Sequence, residues 1–99
     1  MKIYCDFPEK EKTTKLIKES AGTGDYIVCF NSKEAIRIKT KAQKMRLDIP
    51  LPITYDEFLH RRYCGKNIKG FLIDNVDLLL QSLTQVPINS ITINKSKIF

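Results

Sequence analysis

Ninety-nine residues with 42% hydrophobic side chains provide one small core and exclude a multidomain enzyme. No apolar run reaches the roughly 20 residues of a membrane span, and the opening Met1-Lys2-Ile3-Tyr4-Cys5-Asp6 lacks the apolar centre of a signal peptide, so a cytoplasmic protein without membrane contact is expected. The net charge of +6 favours a polyanion or an acidic protein surface as partner.

Lys2 to Cys5 reads as a short first strand, with Ile3 and Cys5 on one face and Tyr4 on the other. Asp6-Phe7-Pro8-Glu9 has the form of a helix start: Asp6 as cap, Pro8 in the first turn, and Glu9 three residues beyond the cap. Acids at Glu9 and Glu11 suit the positive end of that helix's dipole. The helix should pass through Leu16 and Ile17 to about Ala21 and stop at Gly22 or Gly24. Asp25 to Phe30 is expected as a second strand; its apolar residues do not alternate with polar ones, so both faces should be covered. Asn31 or Ser32 then caps a second helix, roughly Lys33 to Arg46. Ala35, Ile38, Ala42 and Met45 fall on one stripe of it. The opposite face carries Lys33, Arg37, Lys39, Lys41, Lys44 and Arg46 against a single acid, Glu34.

Pro50 and Pro52 forbid helix through the following connection. Ile53 reads as a brief strand, and Thr54 with Glu57 forms a capping box for a helix from Tyr55 to Tyr63, with Phe58 and Leu59 facing inward. His60, Arg61 and Arg62 lie at its end, where cations suit the dipole. Cys64 to Asn67 is a turn. Phe71, Leu72 and Ile73 form a short apolar run after Gly70, the signature of a strand inside a parallel sheet. A helix from about Asn75 to Leu83 should bury Val76, Leu79, Leu80 and Leu83. Pro87 and Asn89 mark a loop, Ser90 to Asn94 alternates as a last strand would, and Lys95 to Phe99 is expected to be loosely held.

Strands alternating with helices point to an α/β fold of three layers, a mostly parallel sheet of about four strands flanked by helices, in one domain spanning residues 1–99. Asp74 ends the apolar run at Ile73, and in such sheets ligands sit just beyond the carboxyl ends of the strands. An acid there is placed to hold Mg²⁺; equally, Asp74 or Asn75 can cap the helix that follows. Cys5, Cys29 and Cys64 are odd in number and form no Cys-x-x-Cys pair, so they read as reduced, mostly buried thiols, and zinc is not expected. His60 reads as a surface residue, and Glu57 as a capping partner rather than half of a carboxylate pair with Asp56. Phe30 and Tyr55 are the aromatics near the basic helix, as suited to the core as to stacking a base.

Four segments occur in a telling order: Lys12-Thr13-Thr14 after the first strand, Cys29-Phe30-Asn31-Ser32-Lys33-Glu34-Ala35 at the second, Ile53-Thr54-Tyr55-Asp56-Glu57-Phe58, and Phe71-Leu72-Ile73-Asp74. In that order the chain resembles a P-loop NTPase of the helicase-like kind reduced to its first β/α units, and more closely the small phage-type P-loop proteins of Gram-positive bacteria and their viruses. The resemblance implies a sheet with the Walker B strand, Phe71 to Asp74, between the first and second strands. It also implies roles: Lys12 on the β- and γ-phosphates of Mg·ATP, with Thr13 and Asp74 holding the metal. The chain departs from the family at the phosphate cradle. A P-loop needs glycines so that backbone N–H groups close on phosphate oxygens. Counting back from Lys12, those positions are Asp6 and Glu11, and Glu9 and Pro8 lie between them. A carboxylate close to a triphosphate costs several kcal/mol at an effective dielectric of ~20. Asn75 stands where such ATPases carry the glutamate that activates water, and an amide cannot take a proton.

The expectation is a degenerate, non-catalytic P-loop-like protein that binds a macromolecule, either a host replication, repair or defence protein or another phage component. Lys12, Thr13, Thr14 and Asp74 are its vestigial nucleotide-binding residues, with no catalytic residue assigned and no cofactor expected. Two alternatives stand beside it. One is a minimal Mg·ATP-binding protein or ATPase. The other is a module that binds single-stranded nucleic acid through Lys33, Arg37, Lys39, Lys41 and Lys44.

Overall fold

The structure, a computed structural model, describes residues 1–63 and 67–94, and the backbone of 97–98. Cys64, and with it most of the turn expected from Cys64 to Asn67, lies outside the described residues. In chain order the elements are β1 (Lys2–Ile3), α1 (Glu9–Thr23), β2 (Tyr26–Cys29), α2 (Ser32–Lys44), β3 (Ile53–Thr54), α3 (Tyr55–Leu59), β4 (Phe71–Ile73), α4 (Val76–Gln81) and β5 (Lys97–Ile98).

β2 is the centre of a three-stranded parallel sheet of order β3-β2-β4, with Val28 opposite Ile53 and Ile27 opposite Leu72. Its core residues divide by parity. Ile27, Cys29 and Leu72 pack under Leu16 and Ile17 of α1, Ala35, Ile38 and Ala42 of α2, and Ile49. Val28 packs on the other face with Tyr55 of α3, Leu79 of α4 and Ile53, joined by Tyr26, Phe58, Tyr63, Phe71 and Ile73. The outcome is three layers with β2 covered on both sides, as its unbroken apolar run required.

The expected sheet of about four strands is a sheet of three. β4 lies beside β2, as expected, but β1 does not flank β4 and instead forms a separate parallel pair with β5, Lys2 opposite Lys97 and Ile3 opposite Ile98. A strand of two residues carries no alternating pattern to specify its neighbour. Part of the tail expected to be loosely held is thus the strand β5. Ser90 to Asn94 forms no strand, and Ile91 and Ile93 are exposed. Alternation makes a strand feasible, but an accepting sheet edge decides whether it forms.

Helix termini follow local chemistry where the residues announce it. Gly24, at φ 80°, ends α1 and its N–H donates to the Ser20 carbonyl. Asn31 caps α2, its side-chain oxygen accepting from the Glu34 N–H at 2.9 Å. Thr54 and Glu57 close the full capping box of α3. Replacing Thr54 by Ala should cost about 1 kcal/mol, seen as a lower urea midpoint at unchanged slope.

Other termini differ from expectation. Asp6 does not cap α1; it sits in a left-handed turn at φ 61°, and Pro8 occupies the cap position without a side-chain bond. α2 stops at Lys44 because Arg46 turns left-handed at φ 57°, which lets the Leu47 N–H reach the Ala42 carbonyl at 2.9 Å. α3 stops at Leu59 in the same way: Arg61 lies at φ 55°, and the Arg62 N–H reaches the Glu57 carbonyl at 2.7 Å. Leu59 is therefore exposed rather than inward. α4 is also shorter than expected and buries Leu79 alone, leaving Val76 and Leu83 in solvent.

Candidate functional site

A parallel sheet delivers the carboxyl ends of its strands to one edge, and the helices that follow start there. Here that edge opens into a cleft of about 490 Å³. Phe30 and Asn31 follow the end of β2, and Asp74 and Asn75 follow the end of β4. The first turn of α1 contributes Glu9 and Lys10, and the start of α2 contributes Lys33, Glu34 and Arg37. Tyr55 and Leu78 complete the wall.

Asp74 is the unusual group. Its residue is 5% exposed. Its backbone is fully engaged: the N–H donates to the Val28 carbonyl at 2.9 Å, and its own carbonyl accepts the Tyr55 hydroxyl. The carboxylate has neither hydrogen bond nor ion pair among the described residues. Among the described residues no side-chain oxygen sealed from solvent lacks a partner, so the unpartnered Asp74 oxygens open onto the cleft. Burial, then the negative charges of Glu9 and Glu34, push its pKa up from 3.8 to about 6, against the pull of Arg37 and Lys12. At neutral pH it is an ionised carboxylate in a field that is negative on balance.

The neighbours hold this arrangement. Asn75 adopts a left-handed conformation at φ 55°, which asparagine tolerates. Its amide donates to Glu9 Oε1 at 2.9 Å, tying the start of α1 to the end of β4. Tyr55 bridges the same turn, donating to the Asp74 carbonyl and lying 3.0 Å from the Asn75 carbonyl. Neither Asp74 nor Asn75 caps α4 with its side chain, which removes the capping reading of this pair. Arg37 grips Glu34 with two nitrogens, at 3.1 and 2.8 Å. That bond holds the Glu34 carboxyl below its usual pKa.

Of the four residues named from the nucleotide-binding resemblance, Asp74 alone lines the cleft. Lys12 faces Glu9 Oε2 at 3.9 Å. Thr13 is buried and donates to the Glu9 carbonyl at 3.2 Å, and Thr14 donates to the Lys10 carbonyl at 2.8 Å. Both hydroxyls are turned back onto α1. The cations of α2 are likewise dispersed. Arg37 is on Glu34, Lys39 donates to the Ile49 carbonyl, and Lys41 donates to the Lys10 carbonyl at 3.0 Å. Lys33 lines the cleft, and Lys44 is exposed at the helix end.

Cys29 is fully buried, its thiol donating to the Ile53 carbonyl at 3.5 Å. Burial first, then the Asp74 charge, pushes its pKa to about 12 and keeps it protonated. His60, the C-cap residue of α3, is exposed beside Asp56, 3.0 Å from Oδ1. Among the described residues, no group of three or more histidine, cysteine or acidic side chains is placed to hold a metal.

Glu34 was not legible as a cleft residue, Asn75 was placed at the site only through the resemblance, and Tyr55 and Phe30 were legible only as a choice between core and surface. The structure divides those two: Tyr55 is core with its hydroxyl at the cleft, whereas Phe30 is 56% exposed at the rim. The rings lie 6.0 Å apart, tilted by 60°. One signal was available. A residue just after a parallel strand and one in the first turn of the following helix share the same sheet edge, which applies to Glu9, Asn31, Glu34 and Asn75 alike. No protein-family model, curated protein or solved structure matches the chain.

Proposed function

We propose that this chain is a non-catalytic binding protein of the phage type, built on a degenerate P-loop NTPase-like scaffold and acting through a macromolecular partner, a host replication, repair or defence protein. One observation carries the reading. The edge where a P-loop protein presents glycine amides to phosphate carries a carboxylate from the start of α1 here, Glu9, which is bonded to Asn75. A triphosphate entering that space meets this added negative charge at close range. Further support comes from the layer order, with helices on both faces of a parallel sheet and Asp74 ending the strand beside β2. The nucleic-acid alternative draws less support, because Arg37, Lys39 and Lys41 are engaged within the chain.

Two measurements test the proposal together. Millimolar Mg·ATP should leave the melting temperature unchanged, in the natural chain and in Lys12→Ala alike. A shift that Lys12→Ala abolishes would restore the nucleotide reading. Affinity capture from host lysate should retain one protein stoichiometrically, and a charge reversal in the cleft, Glu34→Lys, should release it. Retention of single-stranded oligonucleotide that falls steeply with salt would instead favour the basic helix.

A further inference from the structure

Resting on the binding reading above, we propose that the cleft receives an arginine side chain of the partner, its guanidinium seated on the Asp74 carboxylate and bounded by Phe30 at the rim.

The starting point is an imbalance. Asp74 is a carboxylate 5% exposed whose side chain has no partner among the described residues, yet it opens into a cleft of about 490 Å³. That volume lies in the range of ligand pockets, about 300–1,000 Å³. A buried charge left without a partner is costly, so the folded chain gains from any cation that enters. Cations of the cleft do not fill the role. Arg37 is committed to Glu34 by a two-pronged bond, and Lys10 and Lys33 line the walls without an ion pair to Asp74. The unpaired carboxylate of Asp74 itself sets the sign of the guest as positive, and the nearby charges of Glu9 and Glu34 reinforce it at that carboxyl.

Among the described residues no group of three or more ligating side chains would hold a metal ion by protein ligands alone, and a single carboxylate leaves Mg²⁺ dependent on phosphate or water for its other ligands. Shape selects between the organic cations. Both Asp74 oxygens are uncommitted, which matches the parallel N–H fork of a guanidinium rather than the point charge of an ammonium. Phe30 offers an exposed ring at the rim, and a guanidinium stacks on such faces. A buried arginine at the centre of an interface is also a common energetic anchor between proteins.

The test is an NMR titration of the intact chain near neutral pH and at low salt. The probes are N-acetyl-arginine amide, its uncharged isostere N-acetyl-citrulline amide, inorganic phosphate, and a short peptide with one central arginine. The arginine amide should move the resonances of Phe30, Asp74 and Asn75 and lower the Asp74 titration midpoint, and the citrulline amide should move none of them. Asp74→Asn should weaken the arginine amide roughly tenfold or more, the loss expected for a charge-assisted pair. Phe30→Ala, which leaves the charges in place, should weaken it as well. The peptide should bind more tightly than the amide. Arginine and citrulline amides acting alike, full affinity in Asp74→Asn, or phosphate moving the same resonances at lower concentration would each overturn the inference. A peptide no tighter than the amide would transfer the site to a free guanidino compound and overturn the partner assignment. If Asp74→Asn still captures the same lysate protein, the arginine inference fails while the binding reading stands; if the natural chain captures nothing, the reading itself fails.

Discussion

Asp74→Asn should make the folded chain more stable above pH 6, by about 3 kcal/mol at most. The bound follows from linkage. The Asp74 carboxyl titrates at about 6 in the folded chain against 3.8 when free. Each unit is worth about 1.36 kcal/mol. For an acid whose folded pKa is raised, ionisation opposes folding. Below about pH 4 the carboxyl is protonated in both states, and the substitution changes little. Between pH 4 and 6 the unfolded chain gives up its proton first, so the natural protein loses stability as pH rises. Above pH 6 the penalty is complete. Asparagine keeps the shape, removes the charge, and breaks no side-chain bond among the described residues, because Asp74 makes its hydrogen bonds through its backbone. The charged groups that set this field are Glu9 and Lys12 on α1 and Glu34 and Arg37 on α2, and the Asp74 charge in turn raises the pKa values of Cys29 on β2 and Tyr55 on α3. Urea melts at pH 4 and 7.5 measure the effect: the two chains should converge at the lower pH and diverge at the higher. For a domain of this size each kcal/mol corresponds to about 4–8 °C in Tm. A variant that melts below the natural chain at pH 7.5 would mean that the carboxylate is already satisfied in solution.

Ile38→Ala should destabilise the chain by about 2–5 kcal/mol, a large part of the roughly 5–15 kcal/mol available to a small domain. Ile38 is 0% exposed and belongs to the cluster in which α1, α2 and one face of the sheet meet. Removing its methyl groups leaves a cavity bounded by residues of three elements, which cannot all close in together. The control lies two positions away on the same helix. Ile36 is 64% exposed. Ile36→Ala should stay within about 0.5 kcal/mol of the natural chain, helped slightly by the better helix propensity of alanine. Equal losses from the two substitutions would show that α2 does not pack in this register. Because α2 also carries Glu34 and Arg37 into the cleft, Ile38→Ala should in addition broaden the resonances of the cleft residues.

Much of the local structure was readable before any coordinates. The stop at Gly22 or Gly24, the cap at Asn31 or Ser32 and the Thr54–Glu57 box each depend on residues within a few positions of one another; the structure chose Gly24 and Asn31 from the two pairs, and the box formed as expected. So did the two-sided burial of β2, which an unbroken apolar run demands. The misreadings share a cause. Arg46 and Arg61 adopt left-handed conformations normally left to glycine. Nothing local announces that choice, so both helices end sooner than their residues imply. Glu9 had the spacing of a capping partner, but its carboxylate goes instead to Asn75, far along the chain. Ile91 and Ile93 alternate as a strand would and stay exposed because no sheet edge accepts them.

From its residues alone this protein was committed to an α/β layering, to the buried stripe of α2, and to an aspartate at the end of an apolar strand. Those properties follow from periodicity and capping, which act over a turn or a pleat. Tertiary structure decided which strand lies beside which, and it surrounded Asp74 with Glu9 and Glu34 while leaving it no counterion among the described residues. Burial and electrostatic field are sums over groups that the sheet brings together from distant parts of the chain. The carboxylate's position was therefore legible in the sequence, whereas its raised pKa and its open cleft were not.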